Sequence, residues 1–97
     1  MILTNAQKSV LKGLAQRLDA ALKVGKHGLT EPFLRSVDEA LEHRELVKVR
    51  FDGFKDQKKE LMPQLAERTK SLLIMRVGHV AVLFRRNPDP ARQKIAF

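Results

Sequence analysis

Between Val24 and Pro32 the chain reads V-G-K-H-G-L-T-E-P, so Gly25 and Gly28 bracket Lys26 and His27 and a helix-start signal follows at once. Glycine loses more backbone entropy on folding than any other residue, so two of them three apart need a reason. Either the chain makes a turn that only glycine can make, or something approaches its backbone closely. A strand, a short glycine-bracketed loop and a helix N-terminus together suit phosphate. The glycines admit another backbone, and the first N–H groups of the helix lack partners within it. Lys26 adds a mobile charge, and His27 adds a donor or a ring. A lone G-x-x-G is weak evidence, because many strand-to-helix turns carry glycines for geometry alone. The loop is too short for a P-loop, lacks G-x-G-x-x-G spacing and has no acid placed for a ribose. No nucleotide cofactor is expected, and no other cofactor is implied.

The residues with catalytic potential are few. Glu39 and His43 stand one helical turn apart with Glu42 beside them, a conceivable metal or acid–base pair. An exposed i, i+4 pair on an acidic helix explains them better, and no second His–carboxylate set completes a site. Ser9, Ser36 and Ser71 lack any nucleophile motif. There is no cysteine, hence no disulfide framework and no thiolate zinc site. Catalysis and a bound metal are not expected.

The elements that must position the loop belong to one domain, since 97 residues is near the commonest domain size. Hydrophobic residues make up 43% of the chain, five Phe are the only aromatics, and the core must therefore be aliphatic. Polar and charged residues early in the chain argue against a signal-peptide core, and no apolar run reaches the roughly 20 residues of a membrane span. A cytoplasmic protein that does not enter membranes is the expectation. Net charge is +8 and unevenly placed. From Glu31 to Glu45 five acids face two arginines, a local −3, which leaves +11 for the rest. Such a layout favours a polyanion partner, nucleic acid ahead of a membrane surface.

Thr4 with Gln7 forms a capping-box pattern, and Val10, Leu11, Leu14, Ala15 and Leu18 recur at helical spacing, predicting a first helix over about 5–20. Ala21–Val24 is a short apolar run, read as a buried strand. Thr30 is a good N-cap with Pro32 in the first turn, and the second helix should end near Glu45. Leu46–Phe51 alternates, predicting Val47, Val49 and Phe51 buried and Lys48 and Arg50 on a wet, basic face. Asp52-Gly53 marks a turn. A third helix is predicted over Lys55–Lys70, where Pro63 either falls in a late first turn or kinks the helix. Leu72–Val77 and Val80–Arg85 read as strands joined by Gly78-His79, a tight type II′ hairpin. From Asn87 the chain is basic and proline-bearing with little to bury, predicting a flexible tail over 87–97 behind a domain of residues 1–86. The order α-β-α-β-α-β-β predicts an α/β fold with a mixed four-stranded sheet, helices covering at least one face. Where the first helix packs is not legible.

The remaining cations each have two readings. Lys48 and Arg50 either line a nucleic-acid-facing surface or form the wet side of a strand. Lys12, with Lys8 and Arg17, makes a basic stripe beside the loop, for which a solvated helix face is the commoner explanation. No aromatic interleaves them, so base stacking is not expected and phosphate contact should dominate.

Backbone capture of single-stranded nucleic acid, as in the G-x-x-G loop of KH domains, is a third use of such a loop. Here the whole chain adds weight. The motifs L-K-G-L-A at Leu11–Ala15, V-G-K-H-G-L-T-E at Val24–Glu31, A-L-E-H-R-E-L-V-K-V at Ala40–Val49 and V-G-H-V-A-V-L-F-R at Val77–Arg85 resemble the CRM-domain family (chloroplast RNA splicing and ribosome maturation). The likeness is closer to its single-domain bacterial YhbY-type members and runs from Leu3 to about Arg86. It implies a fold like the C-terminal domain of translation initiation factor three with an added N-terminal helix. It also implies RNA as partner, in particular ribosomal RNA or a precursor of the large ribosomal subunit. The family's loop falls on Gly25, Lys26, His27 and Gly28, with Thr30 behind it and Lys12, Lys23, Lys48 and Arg50 widening the footprint. The alternative is a generic basic nucleic-acid binder, or an accessory factor of splicing or translation without a role in ribosome assembly. A monomer is the expectation. Pro32-Phe33, the Lys58-Lys59 stretch with Pro63, and the segment beyond Arg86 depart most from the family pattern.

Overall fold

The computed structural model describes residues 2–53 and 57–97. Helix α1 spans Asn5–Ala15. Its start is the reciprocal box expected: Gln7 N donates to Thr4 Oγ1 at 3.1 Å and Thr4 N to Gln7 Oε1 at 2.9 Å. The helix stops five residues short of the expected end. Leu11 and Ala15 are buried, but Val10, Leu14 and Leu18 are exposed, so nothing past Ala15 has a surface to pack on. Tight bonds from Arg17 N to Leu14 O and Leu18 N to Ala15 O close the turn.

Strand β1 is Leu22–Lys23, which pairs parallel with β2, Leu46–Arg50. Ala21 N and Val24 N bond to Lys48 O and Arg50 O on either side, so the four-residue run is extended as predicted, but it is an edge strand rather than a buried one: Ala21 and Lys23 are exposed and only Val24 is buried. Between the strands, α2 covers Glu31–Arg44, and Thr30 Oγ1 accepts from Phe33 N at 3.3 Å. Helix α3 covers Lys58–Arg68 with Pro63 in its second turn, so Lys59 O lacks the bond a normal residue would supply. The predicted start at Lys55 lies outside the described residues. Strands β3 (Leu72–Val77) and β4 (Val80–Phe84) form the hairpin. Gly78 has φ +57° and His79 is not in the left-handed region, as a type II′ turn requires.

The sheet order is β1-β2-β4-β3. The last strand is thus central, antiparallel to β2 (Val47↔Leu83) and to β3 (Leu73↔Leu83). One extra residue in β3 shifts the register between Leu73 and Met75. Val47, Val49, Phe51, Ala81 and Leu83 pack against Val37, Leu41, Met62 and Leu65 of α2 and α3. The other face carries Leu46, Val82 and Phe84, and α1 covers it with Leu11 and Ala15. Both faces are therefore covered. This corrects the wet face expected for β2 at one of its two cations: Arg50 is exposed as expected, but Lys48 is only half exposed, and its Nζ donates to Leu18 O at 2.8 Å.

The segment from Asn87, expected to be a flexible tail, folds back on the molecule. Glu45 is fully buried and accepts from the backbone N–H groups of Asn87, Lys94 and Ile95. Pro90–Arg92 forms a single 3-10 turn. Ile95 packs on the α1-side cluster, and the Phe97 ring meets Phe84 edge-on at 5.8 Å with the Arg86 guanidinium 4.8 Å above it. Ile95 and Phe97 supply the apolar surface that the proline-bearing stretch lacks.

Candidate nucleic-acid interface

Gly28 N donates to Gly25 O at 3.0 Å, closing a four-residue turn with Lys26 and His27 at its tip. Only one of the two glycines is required by this geometry. Gly28 has φ +76°, a region that other L-residues enter at a cost of about 1–2 kcal/mol. Gly25 has no such φ, and a Cβ placed on it would meet nothing within 4 Å. The fold does not ask for glycine there. Lys26 and His27 are exposed, and neither their side chains nor their backbone N–H groups have a partner among the described residues.

The N-terminus of α2 is a poorer anion site than the sequence suggests. Pro32 has no N–H, Phe33 N is held by Thr30 Oγ1, and Leu34 N bonds to Thr30 O at 2.9 Å. Of the first four helical residues only Glu31 keeps a free amide, and its carboxylate is paired with Arg68 at 3.1 Å. Thr30 therefore acts as a cap, and the open donors belong to the turn itself.

Because β1 and β2 run parallel, the glycine loop and the Asp52-Gly53 turn leave the sheet at one end. Pairing of Arg50 with Val80 brings the Gly78-His79 turn to that end too, where Phe51 N donates to His79 O at 2.7 Å. The start of α3 joins them, with Lys58 Nζ 3.0 Å from His79 Nδ1. Lys23 and Arg50 converge on a shared carboxylate: Lys23 Nζ lies 3.2 Å from Asp52 Oδ2 and Arg50 Nε 3.1 Å from Oδ1. The bonded Lys23 ammonium, with the Arg50 guanidinium beside it, holds the Asp52 carboxyl below its ordinary value. Asp52 was not singled out from the sequence, although an acid in a turn just past a basic strand was a usable signal. Lys48 sits two residues back along β2, tied to Leu18 O. Lys12 is exposed on α1, which covers the opposite sheet face from α2. So Gly25, Lys26, His27, Gly28, Lys23 and Arg50 are gathered at one end, while Lys12 and Lys48 are not part of that group.

Elsewhere the chemistry is sparse. Among the described residues no three His, Asp or Glu gather to hold a metal, and no helix is long and apolar enough to cross a membrane. Fold and site define a small α/β domain whose exposed functional groups are cations and free backbone amides around an open glycine turn. The chain belongs to the CRS1/YhbY (CRM) domain family, whose pattern matches residues 3–85. It is 38% identical over 84 residues to a protein of Haemophilus influenzae named "RNA-binding protein", covering 86% of this chain and 85% of that one. It is 34% identical over 91 residues to a Pseudomonas aeruginosa protein named "Probable RNA-binding protein", covering 93% and 88%. The solution structure of a hypothetical protein from Staphylococcus aureus superposes with a TM-score of 0.79 at 34% identity, over 98% of this chain and 100% of that one.

Proposed function

We propose that this protein binds RNA through its backbone at the Gly25–Gly28 turn and acts on precursors of the large ribosomal subunit. The observation that carries the reading is Gly25, a glycine demanded neither by its backbone angle nor by its packing. Absence of a side chain there leaves room for another backbone beside the free amides of Lys26 and His27. Lys26 neutralises a phosphate, His27 bonds phosphate or sugar, and Lys23 and Arg50 add charge from the neighbouring strand ends. Family membership and the names of the relatives support RNA as the partner. The ribosomal role rests on the YhbY-type motifs. The protein binds and does not turn over its ligand, so RNA stays intact with or without magnesium.

The test is binding to ribosomal RNA and to duplex DNA of equal length across a salt series, beside a variant with Gly25 and Gly28 both changed to Asp. Four phosphate contacts give a slope of log K against log salt of roughly −3 to −4. Preference for RNA that the variant loses supports the reading. Equal binding to both nucleic acids, unchanged in the variant, reduces it to attraction by a basic surface. Co-sedimentation with large-subunit precursors, compared with mature particles, tests the assembly role.

A further inference from the structure

Lys58, Lys59 and Arg76 line a cleft of about 220 Å³ beside Gly78 and Met62. Two of these cations come from the start of α3 and one from the end of β3, so the fold brings them together across 18 residues of chain. None pairs with a carboxylate among the described residues, whereas Lys23, Arg50, Arg68, Arg85 and Arg92 all do. Converging like charges repel, and an anion between them removes that repulsion. His79 stands next to the cluster, its Nδ1 3.0 Å from Lys58 Nζ. Gly78 faces open space, so its backbone is approachable.

We propose that this cluster is a second phosphate-binding site, and that one RNA strand runs across the end of the sheet from the glycine loop to it. The inference rests on the RNA reading above. The loop follows β1 at one edge, and the cluster stands on the hairpin formed by β4 and β3 at the other. With strands spaced about 4.8 Å apart, the two sites are roughly 10–15 Å from each other. That gap is short enough for one continuous single strand of a few nucleotides to bridge. Lys23 and Arg50 lie along the path. The chemistry recognised is the phosphodiester of a continuous strand, and the other source of the same anion is free inorganic phosphate.

The experiment measures affinity for single-stranded RNA of graded length across a salt series. It compares the wild type, Lys58→Gln/Lys59→Gln/Arg76→Gln, and a control of equal charge loss, Lys8→Gln/Lys70→Gln/Lys94→Gln. The cluster variant should bind the shortest RNA like the wild type but fail to gain affinity with length, and its salt slope should be shallower by about 2. The control should keep the length dependence. Equal losses in both triple variants overturn the proposal, because only net charge would then matter. An unchanged cluster variant beside a glycine-loop variant that has lost RNA overturns it too, and leaves the RNA reading standing. Failure of the wild type to bind any RNA overturns both. Inorganic phosphate at constant ionic strength provides the last arm. If it saturates the cluster and RNA length has no effect, the site holds free phosphate and the strand path is wrong.

Discussion

Glu45 and Asn87 are 42 residues apart in sequence, and the Glu45 carboxylate accepts the Asn87 backbone N–H at 2.6 Å. Its second oxygen takes Lys94 N at 2.6 Å and Ile95 N at 3.1 Å. The same residue caps α2 with φ +64° and gives its carbonyl to Arg85 N. One side chain thus ends a helix and fastens the C-terminal segment.

Glu45→Ala leaves the buried Asn87 amide and the part-buried Lys94 and Ile95 amides without their partner, a loss of about 1–3 kcal/mol for the buried one and less for each of the others. Stability to urea should fall by roughly 3 kcal/mol or more, and limited proteolysis should cut after Arg86. Glu45→Gly removes the same carboxylate but relieves the left-handed backbone, worth about 1–2 kcal/mol, and should lie between the two. If both variants lose equally, the backbone angle carries no strain.

The two loop glycines should separate stability from binding. Gly28→Ala forces a Cβ into a left-handed position and should cost about 1–2 kcal/mol in denaturation. Gly25→Ala should leave stability within about 0.5 kcal/mol of wild type and weaken RNA binding. A Gly25→Ala variant that binds RNA normally would remove the main support for close approach at this residue.

Asp52 restrains the two cations it bonds. Asp52→Asn should release Lys23 and Arg50, raise RNA affinity and steepen the salt slope by about 1. The pH dependence has a definite sign. A depressed carboxyl pKa stabilises the fold above the unfolded value of 3.8 and loses that contribution as pH falls through the lower folded value. Between pH 5 and 8 the Lys23–Asp52–Arg50 group should therefore add no pH dependence to stability. Wild type and Asp52→Asn should give parallel melting curves there and converge only in acid.

Pro63 interrupts the bonding of α3 from an exposed position. Pro63→Ala restores a donor to Lys59 O and should raise stability by about 1–3 kcal/mol, read as a higher urea midpoint.

The element order, the caps at Thr4 and Thr30 and the Gly78-His79 turn were legible because each rests on a local rule of spacing or side-chain chemistry. Three things were not. The end of α1 depends on whether Leu14 and Leu18 find a surface, and periodicity counts apolar positions without knowing what faces them. The α1 cover over Lys48 is tertiary, so a strand that alternates perfectly was read as half wet. The anchoring of Asn87–Phe97 depends on a buried carboxylate in α2's cap, and nothing within the segment signals it. For the candidate site, the loop residues were found from their spacing. The pairing of Lys23 and Arg50 through Asp52, and the closeness of Arg76 to Lys58, follow from strand order, which helix and strand patterns do not encode.

The central place of β4 has a consequence for how the molecule comes into being. During synthesis, β1, α2 and β2 leave the ribosome ahead of β4 and can pair, yet β2 keeps an open edge until Val80–Phe84 emerges after α3 and β3. Ala81 and Leu83, which complete the core over α2 and α3, arrive with it. Growth strand by strand is therefore impossible, and the nascent domain must wait, with an apolar half-sheet exposed, for a late and sequence-distant insertion. Such non-local closure slows folding and prolongs the interval in which the unpaired β2 edge can meet another chain.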